Sequence, residues 1–465
     1  MQSDTKTASR GQSPKRIAMM AEMPMHKLIP TLAAPTILAQ LITKIYNIVD
    51  TFFVSTLGTS ATAAVGVNVA LEEVITMIGT LLGAGACSYI SRLLGAKEEK
   101  AADEVLSTSV FTGAWLGALL MVIGLLFTEP LVFLLGATED CAVYAMQYAR
   151  YVLLAAPFMA TNYVLNSCLR SEGNSTRAMV GMAGGGILNC ILDPIFIFGL
   201  DMGVTGASIA TAISKVFTFC VLMYPYVRKK CAVRVSIRRI RYTKVAVKEV
   251  LSIGSTSFFR TLLMVFANVV TNRVAGLYST AVLAAVSVAN RVMGFPFTII
   301  LGFGHGFQPA AGFSWGAKQY KRVKEALKFS SIVSLVGAAV MGVILAVLAE
   351  PVIRIFNSQA DAEVLRIGVL CIILQCITVP IYSWVATINM FYAATGKAKY
   401  MLLLSTARQG YCLIPMVLLL PKIFGVYGVA ACQAAADILS LIIAIPLGIK
   451  AFRLINKLLE EEADA

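Results

Sequence analysis

Long apolar runs alternate with short polar breaks along the whole chain. The runs fall at 28–56, 62–90, 105–128, 143–169, 176–200, 204–227, 247–274, 281–308, 328–349, 364–393, 399–420 and 426–450. Each reaches or exceeds the roughly 20 residues with which a helix crosses a hydrocarbon core. The pattern predicts an all-α membrane protein of twelve transmembrane helices, the longer ones tilted or projecting from the bilayer.

The breaks differ in charge, and that sets an orientation. Arg92, Lys97 and Lys100 follow the second run, and Arg170 and Arg177 follow the fourth. Nine Lys and Arg lie between Arg228 and Lys248, and Lys318, Lys321, Arg322 and Lys324 follow the eighth run. The alternate breaks are poor in base: 57–61 has none, and 129–140 is acidic. The positive-inside rule then places both termini in the cytoplasm of a plasma-membrane protein.

The chain also repeats itself. Gly95-Ala96-Lys97 returns as Gly316-Ala317-Lys318, and Glu129-Pro130 as Glu350-Pro351, both 221 positions on. Ala63-Ala64-Val65 matches Ala284-Ala285-Val286 in the same register. Two pseudo-symmetric six-helix lobes around a central cavity are expected from such a repeat. The predicted division is a cytoplasmic tail (1–26), an N-lobe (27–227), a basic cytoplasmic linker (228–246), a C-lobe (247–450) and a second tail (451–465).

Composition narrows the function classes. The 465 residues are 58% hydrophobic and 14% charged, with a mean hydropathy of +0.78. A soluble fold of this length has no core large enough for so much apolar surface. The net charge of +14 sits in the breaks rather than on one face, which argues against nucleic acid as a partner. The ten cysteines lie mostly in apolar runs without a C-x-x-C pair, and His26 and His305 are the only histidines, so disulfides, zinc and a His-based triad are not expected. No phosphate-binding G-x-x-x-x-G-K-[ST] motif is present, so energy must come from an ion gradient or a partner. No cluster of catalytic polar groups marks an enzyme, and no cofactor is implied.

Ionisable groups within the runs are the candidates for chemistry, because each costs at least ~2.5–3.5 kcal/mol to insert. Asp50 lies three residues after Asn47, and the pair reads either as a cation or proton site or as a wet helix end. Asn189 and Asp193 stand one turn apart, directly before Pro194, which leaves the Cys190 carbonyl without its helical donor. Three oxygen sources on one turn suit Na⁺ or a proton relay; the other reading is a Pro-kink packing site in which Asp193 is merely hydrogen-bonded. Thr211 and Lys215 lie a turn apart on the sixth run. Glu72 and Glu73 are further candidates for a substrate cavity, as are Asn47, Lys215 and Asp437. Asp437 is the repeat counterpart of Lys215, and a Lys215–Asp437 link across the lobes is one expectation. Arg260, Arg291, Arg408 and His305 receive no role from the sequence.

These features together resemble the multidrug and toxic compound extrusion (MATE) family over nearly the whole chain. Pro35 with "YNIVDTFFVSTLG" looks like the family's bending first helix and its acid, so Pro35 is the expected hinge. "LNCILDPIFIF" and "GASIATAIS" look like the N-lobe cation site of the DinF-like branch. The resemblance implies H⁺- or Na⁺-coupled antiport of cationic, amphipathic drugs by a monomer, with Asp50, Asn189, Asp193 and Thr211 holding the coupling ion. Span seven (Arg260, Asn268, Asn272) and span ten (Gln375) lack the acids of the NorM-like branch, so coupling is expected in the first lobe. The rival reading is a lipid-linked oligosaccharide flippase of the same superfamily, which commonly has more spans.

Overall fold

The structure, a computed structural model, describes residues 13–356 and 362–464; the expectations for the first twelve residues lie outside them. Among the described residues the regular structure is helical. A short α1 (Ser13–Glu22) precedes the N-lobe, α2 (Met25–Ser55), α3 (Thr59–Gly95), α4 (Glu99–Leu126), α5 (Thr128–Leu134), α6 (Glu139–Ser171), α7 (Ser175–Pro194) and α8 (Gly203–Val227). The C-lobe contains α9 (Lys244–Gly276), α10 (Thr280–Gly316), α11 (Tyr320–Val347), α12 (Ala349–Phe356), α13 (Ala362–Ala394), α14 (Ala398–Thr406), α15 (Leu413–Phe424) and α16 (Val426–Ala463). Five-residue π-helical segments extend α7 over Ile195–Gly199 and join α14 to α15 over Ala407–Tyr411. Twelve of the resulting helices are long and apolar enough to span a membrane.

The repeat is visible in the helix ends. Both Gly-Ala-Lys segments stop a long helix with the lysine in left-handed backbone, φ 63° at Lys97 and 57° at Lys318. In each, the next residue's N–H reaches back to a carbonyl five positions earlier, Glu98 to Leu93 and Gln319 to Ser314. This satisfies carbonyls that the helix end would orphan. The short α5 and α12 also correspond, and the sequence did not foretell them. Two predicted tails are partly helical: α1 packs under the bundle with Met20 buried, and α16 runs on past residue 450 to Ala463. Arg322 fastens α1 by donating to the carbonyls of Met20 and Met23, 3.0 Å each.

The cores show how the lobes meet. At the end that carries the linker, one apolar core draws on both lobes, from Leu93, Leu94 and Leu165 to Phe313, Val323 and Phe391. At the far end each lobe keeps its own core, around Leu71, Val152 and Ile197 in one and Val286, Ile353 and Ile372 in the other. The chain is therefore closed at the linker end and divided at the other. The closure is backbone against backbone. A Cβ on Gly95 would stand 2.0 Å from the Phe313 carbonyl oxygen, and one on Gly316 would stand 2.0 Å from that of Arg92. Only glycine permits this approach of α3 and α10.

The linker is strapped to the N-lobe rather than loose. Buried Asp103 accepts from the Arg234 N–H at 2.7 Å and pairs with Arg239. Buried Glu172 accepts from the N–H groups of Ala232 and Val233 at 2.7 and 3.4 Å and from the Tyr226 hydroxyl at 3.1 Å. The linker's polar backbone is thus satisfied by two carboxylates of the helices beneath it.

Candidate functional site

Four helices bring the N-lobe candidates together. α2 supplies Asp50, α7 supplies Asn189 and Asp193, α8 supplies Thr211 and Lys215, and α3 supplies Glu72. Glycines of α7 make the approach possible: a Cβ on Gly186 would lie 2.5 Å from the Tyr46 ring, and one on Gly185 would lie 1.9 Å from Thr218 Oγ1. Asp193, Asn189 and Thr211 are buried at 0%, 3% and 6% exposure, so the polar cluster has little water. Pro194 cannot donate to the Cys190 carbonyl, and the π-helical turn follows directly.

The hydrogen bonds form a chain. Asn189 Nδ2 donates to Asp193 Oδ1 at 3.1 Å and to Thr211 Oγ1 at 3.4 Å, and Tyr148 OH lies 3.4 Å from the same hydroxyl. The Asp50 and Asp193 carboxyl groups lie within hydrogen-bonding reach of each other. Neither carries a donor unless protonated, and Asp50 Oδ1 and Asp193 Oδ2 receive no bond from the protein. Two facing carboxylates repel, and a shared proton or a bound cation removes the conflict. Asp50, Asn189, Asp193 and Thr211 thus come together where the sequence reading grouped them. Tyr148 and Tyr46 were missed; a tyrosine in an apolar run carries no spacing signal.

The other candidates separate. Lys215 Nζ donates to Tyr46 OH at 3.1 Å and pairs with Glu72 at 3.6 Å. Asp437, by contrast, is fully buried in the C-lobe, where Arg408 Nε donates to it at 2.6 Å and Thr378 and Gln433 add bonds at 3.1 and 3.3 Å. The expected Lys215–Asp437 link is therefore wrong. Each residue is neutralised inside its own lobe, because repeat-related positions occupy equivalent places rather than adjoining ones. Asp437 is not among the residues that line the two cavities adjoining the lobe interface, although its partners Arg408 and Gln433 are. Glu73 is exposed. Asn47 leaves the Asp50 face and lines the cavity between the lobes, since three residues turn a helix only to within about 60° of the starting direction. Pro35 lies within the continuous α2, where its missing N–H frees the Thr31 carbonyl. No cluster of three or more His, Cys, Asp or Glu suited to a metal occurs among the described residues.

Two cavities adjoin the lobe interface. One, of about 370 Å³, is lined from both lobes by Gln40, Lys44, Asn47, Asn166, Arg170, Arg260, His305 and others. The second, of about 470 Å³, lies in the C-lobe, with Lys44, Arg260, Asn268, Gln375, Asn389 and Arg408 among its walls. Lys44, Arg260 and Thr298 belong to both. The position equivalent to Glu73 is Gly294, where a Cβ would stand 2.3 Å from Lys44 Nζ. A glycine there admits the lysine from the opposite lobe.

Comparison with known proteins agrees with this architecture. The chain is 28% identical over 409 residues to the multidrug export protein MepA of Staphylococcus haemolyticus (strain JCSC1435), covering 88% of this chain and 90% of that protein. It is equally 28% identical to MepA of Staphylococcus aureus (strain MSSA476), over 87% of this chain and 89% of the relative. A solved outward-facing multidrug resistance MATE transporter of the MOP superfamily superposes with a TM-score of 0.89 at 24% identity, over 95% of this chain and 98% of that one. The MatE family profile matches twice, over residues 35–195 and 257–419, once in each lobe. With twelve spans, two related lobes and a double match across most of its length, this multi-pass membrane protein belongs to the MatE family.

Proposed function

We propose that the chain is a secondary antiporter that exports amphipathic organic compounds, coupled to an inward cation through the N-lobe carboxylates. The observation that carries the reading is the buried meeting of Asp50 and Asp193, each with an oxygen that no protein donor reaches. Buried ionisable groups in a membrane mark ion pathways and relays. A proton suits the site best: Asn189 turns its N–H, not its oxygen, toward Asp193 and Thr211. Na⁺ held by Asp50, Asn189, Asp193 and Thr211 is the alternative ion. The likeness to MepA supports multidrug export, and the family resemblance implies cationic drugs. The basic breaks support a plasma-membrane orientation with both termini and the linker inside, so that the divided end faces outward. Pro35 on α2 supports a bending of that helix as the link between ion binding and access, and nothing in the site needs a second subunit.

The test is dye efflux from proteoliposomes of the purified full chain. Efflux driven by an imposed pH difference and indifferent to a Na⁺ gradient is expected. Efflux driven by Na⁺ alone would move the ion from H⁺ to Na⁺, and efflux indifferent to both gradients would overturn coupled antiport.

A further inference from the structure

The charge of the substrate cavity is opposite to that of the ion site. Lys44, Arg170, Arg260 and Arg408 face the two joined cavities, and no Asp or Glu lines either. Arg408 is matched by Asp437. Arg170 bonds only to neutral groups, Asn166 at 2.8 Å and Ser167 at 3.1 Å. Lys44 reaches Thr298 at 3.5 Å and the Phe295 ring, and no carboxylate of the described residues pairs with it or with Arg260. Three positive charges therefore stand at the cavities without a protein counter-charge.

The walls also offer unused bonds. Arg408 is only 7% exposed, stacks on the Phe297 and Tyr382 rings at 4.2 and 4.1 Å, and keeps a buried Nη2 with no acceptor. Such a group left unsatisfied costs free energy that a ligand oxygen would recover. Met264, Phe297, Tyr382 and Met390 supply apolar wall, and a volume of about 470 Å³ suits a drug-sized body.

We propose that the C-lobe cavity binds an amphipathic anion, a carboxylate, sulfonate or phosphate ester on an apolar body, with Lys44 and Arg260 meeting its charge and Arg408 donating to it. The proposal rests on the export reading for the direction of transport, but reverses the substrate charge that the family resemblance implies.

Fluorescein and rhodamine 123 share a ring scaffold and differ in charge, so their equilibrium binding to the full chain in phosphatidylcholine nanodiscs, without any gradient, isolates this point. Fluorescein is expected to bind about tenfold tighter than rhodamine 123, and Lys44→Gln with Arg260→Gln to abolish that preference, whereas Arg260→Lys preserves it. In Asp50→Asn and Asp193→Asn both affinities can shift through α2, but fluorescein should still bind tighter than rhodamine 123, which separates this site from the coupling site. Nanodiscs of phosphatidylglycerol identify the source of the anion: competition with fluorescein points to a lipid headgroup, and its absence to a soluble amphiphile. Tighter binding of rhodamine 123, or a preference unmoved by the double substitution, would overturn the proposal even if gradient-driven efflux stood.

Discussion

The two lobes share one helical plan and oppose each other in charge. In the N-lobe, Asp50 meets Asp193 and Glu72 pairs with Lys215, so that in this cluster three acids face one base. In the C-lobe the repeat counterpart of Asp50 is Thr271, that of Glu73 is Gly294, and the one buried acid among the described residues, Asp437, is locked to Arg408. At its cavity, Arg260 and the N-lobe's Lys44 remain as surplus positive charge. Duplication preserved the backbone, its Gly-Ala-Lys stops and its glycine seams, while the polar interiors diverged. Fold and site are separable here, as they are across unrelated proteins of one architecture.

Equivalent substitutions in the two lobes should therefore fail in different ways. The largest effect is expected for Asp193→Asn or Asp50→Asn, with complete loss of ion-driven efflux in proteoliposomes and an unchanged melting temperature in detergent. The amide removes the meeting of two carboxyl groups without emptying the space. Transport at wild-type rate would erase the distinction between the lobes. Asp437→Asn should instead cost stability, by about 3–5 kcal/mol, because it strands the buried Arg408. Thermal unfolding in detergent reads this directly. A double change, Arg408→Met with Asp437→Leu, should recover most of the loss.

Smaller effects probe what joins the lobes. Gly316→Ala places a Cβ against the Arg92 carbonyl and should weaken the closed linker end by roughly 1–3 kcal/mol. Cross-linking of paired cysteines across that end should fall, with no change when Gly337, which has open space around it, is replaced instead. The last effect is one of pH. Burial pushes the Glu172 carboxyl up to about 7 from an ordinary 4.5, against the bonds from Ala232, Tyr226 and Val233 and the nearby Arg16, which pull it down. The folded chain thus holds a proton there that the unfolded chain has released. Stability from this group is fully present below about 4.5 and is lost as pH rises through about 7. Alkylation of the neighbouring buried Cys231 should accelerate across that range beyond the thiol's own pH dependence, and Glu172→Gln should remove the excess.

Twelve spans, the repeat and the Asn189–Asp193 pairing were legible in the sequence because each has a period or a spacing, whereas Thr211 joined that pair only through the family resemblance. Hydropathy marks spans, a fixed offset marks duplication, and four residues mark one turn. The partner of Lys215 was not legible. Its choice of Glu72 over Asp437 depends on which helices of a lobe touch, and a repeat offset conveys equivalence rather than contact. The basic cavity was visible only as scattered lysine and arginine residues, since nothing in the spacing of Lys44, Arg260 and Arg408 predicts that three elements converge on one space. The ordered linker was likewise hidden: its straps are carboxylates bonding to backbone, and backbone leaves no mark in composition.

Lys44 and Asp50 are carried by a single uninterrupted helix, six residues or about 9 Å apart along its axis. One end of that short rod touches the C-lobe cavity and the other the paired acids. Any tilt or rotation of α2 that alters one occupant's contacts must alter the other's. In the proposed antiport, thermodynamic reciprocity would make the influence mutual: whatever factor a cation imposed on substrate affinity, the substrate would impose on the cation. Such an exchange would require no relay of intervening side chains, because a rigid rod would already force the two occupants to negotiate over one position.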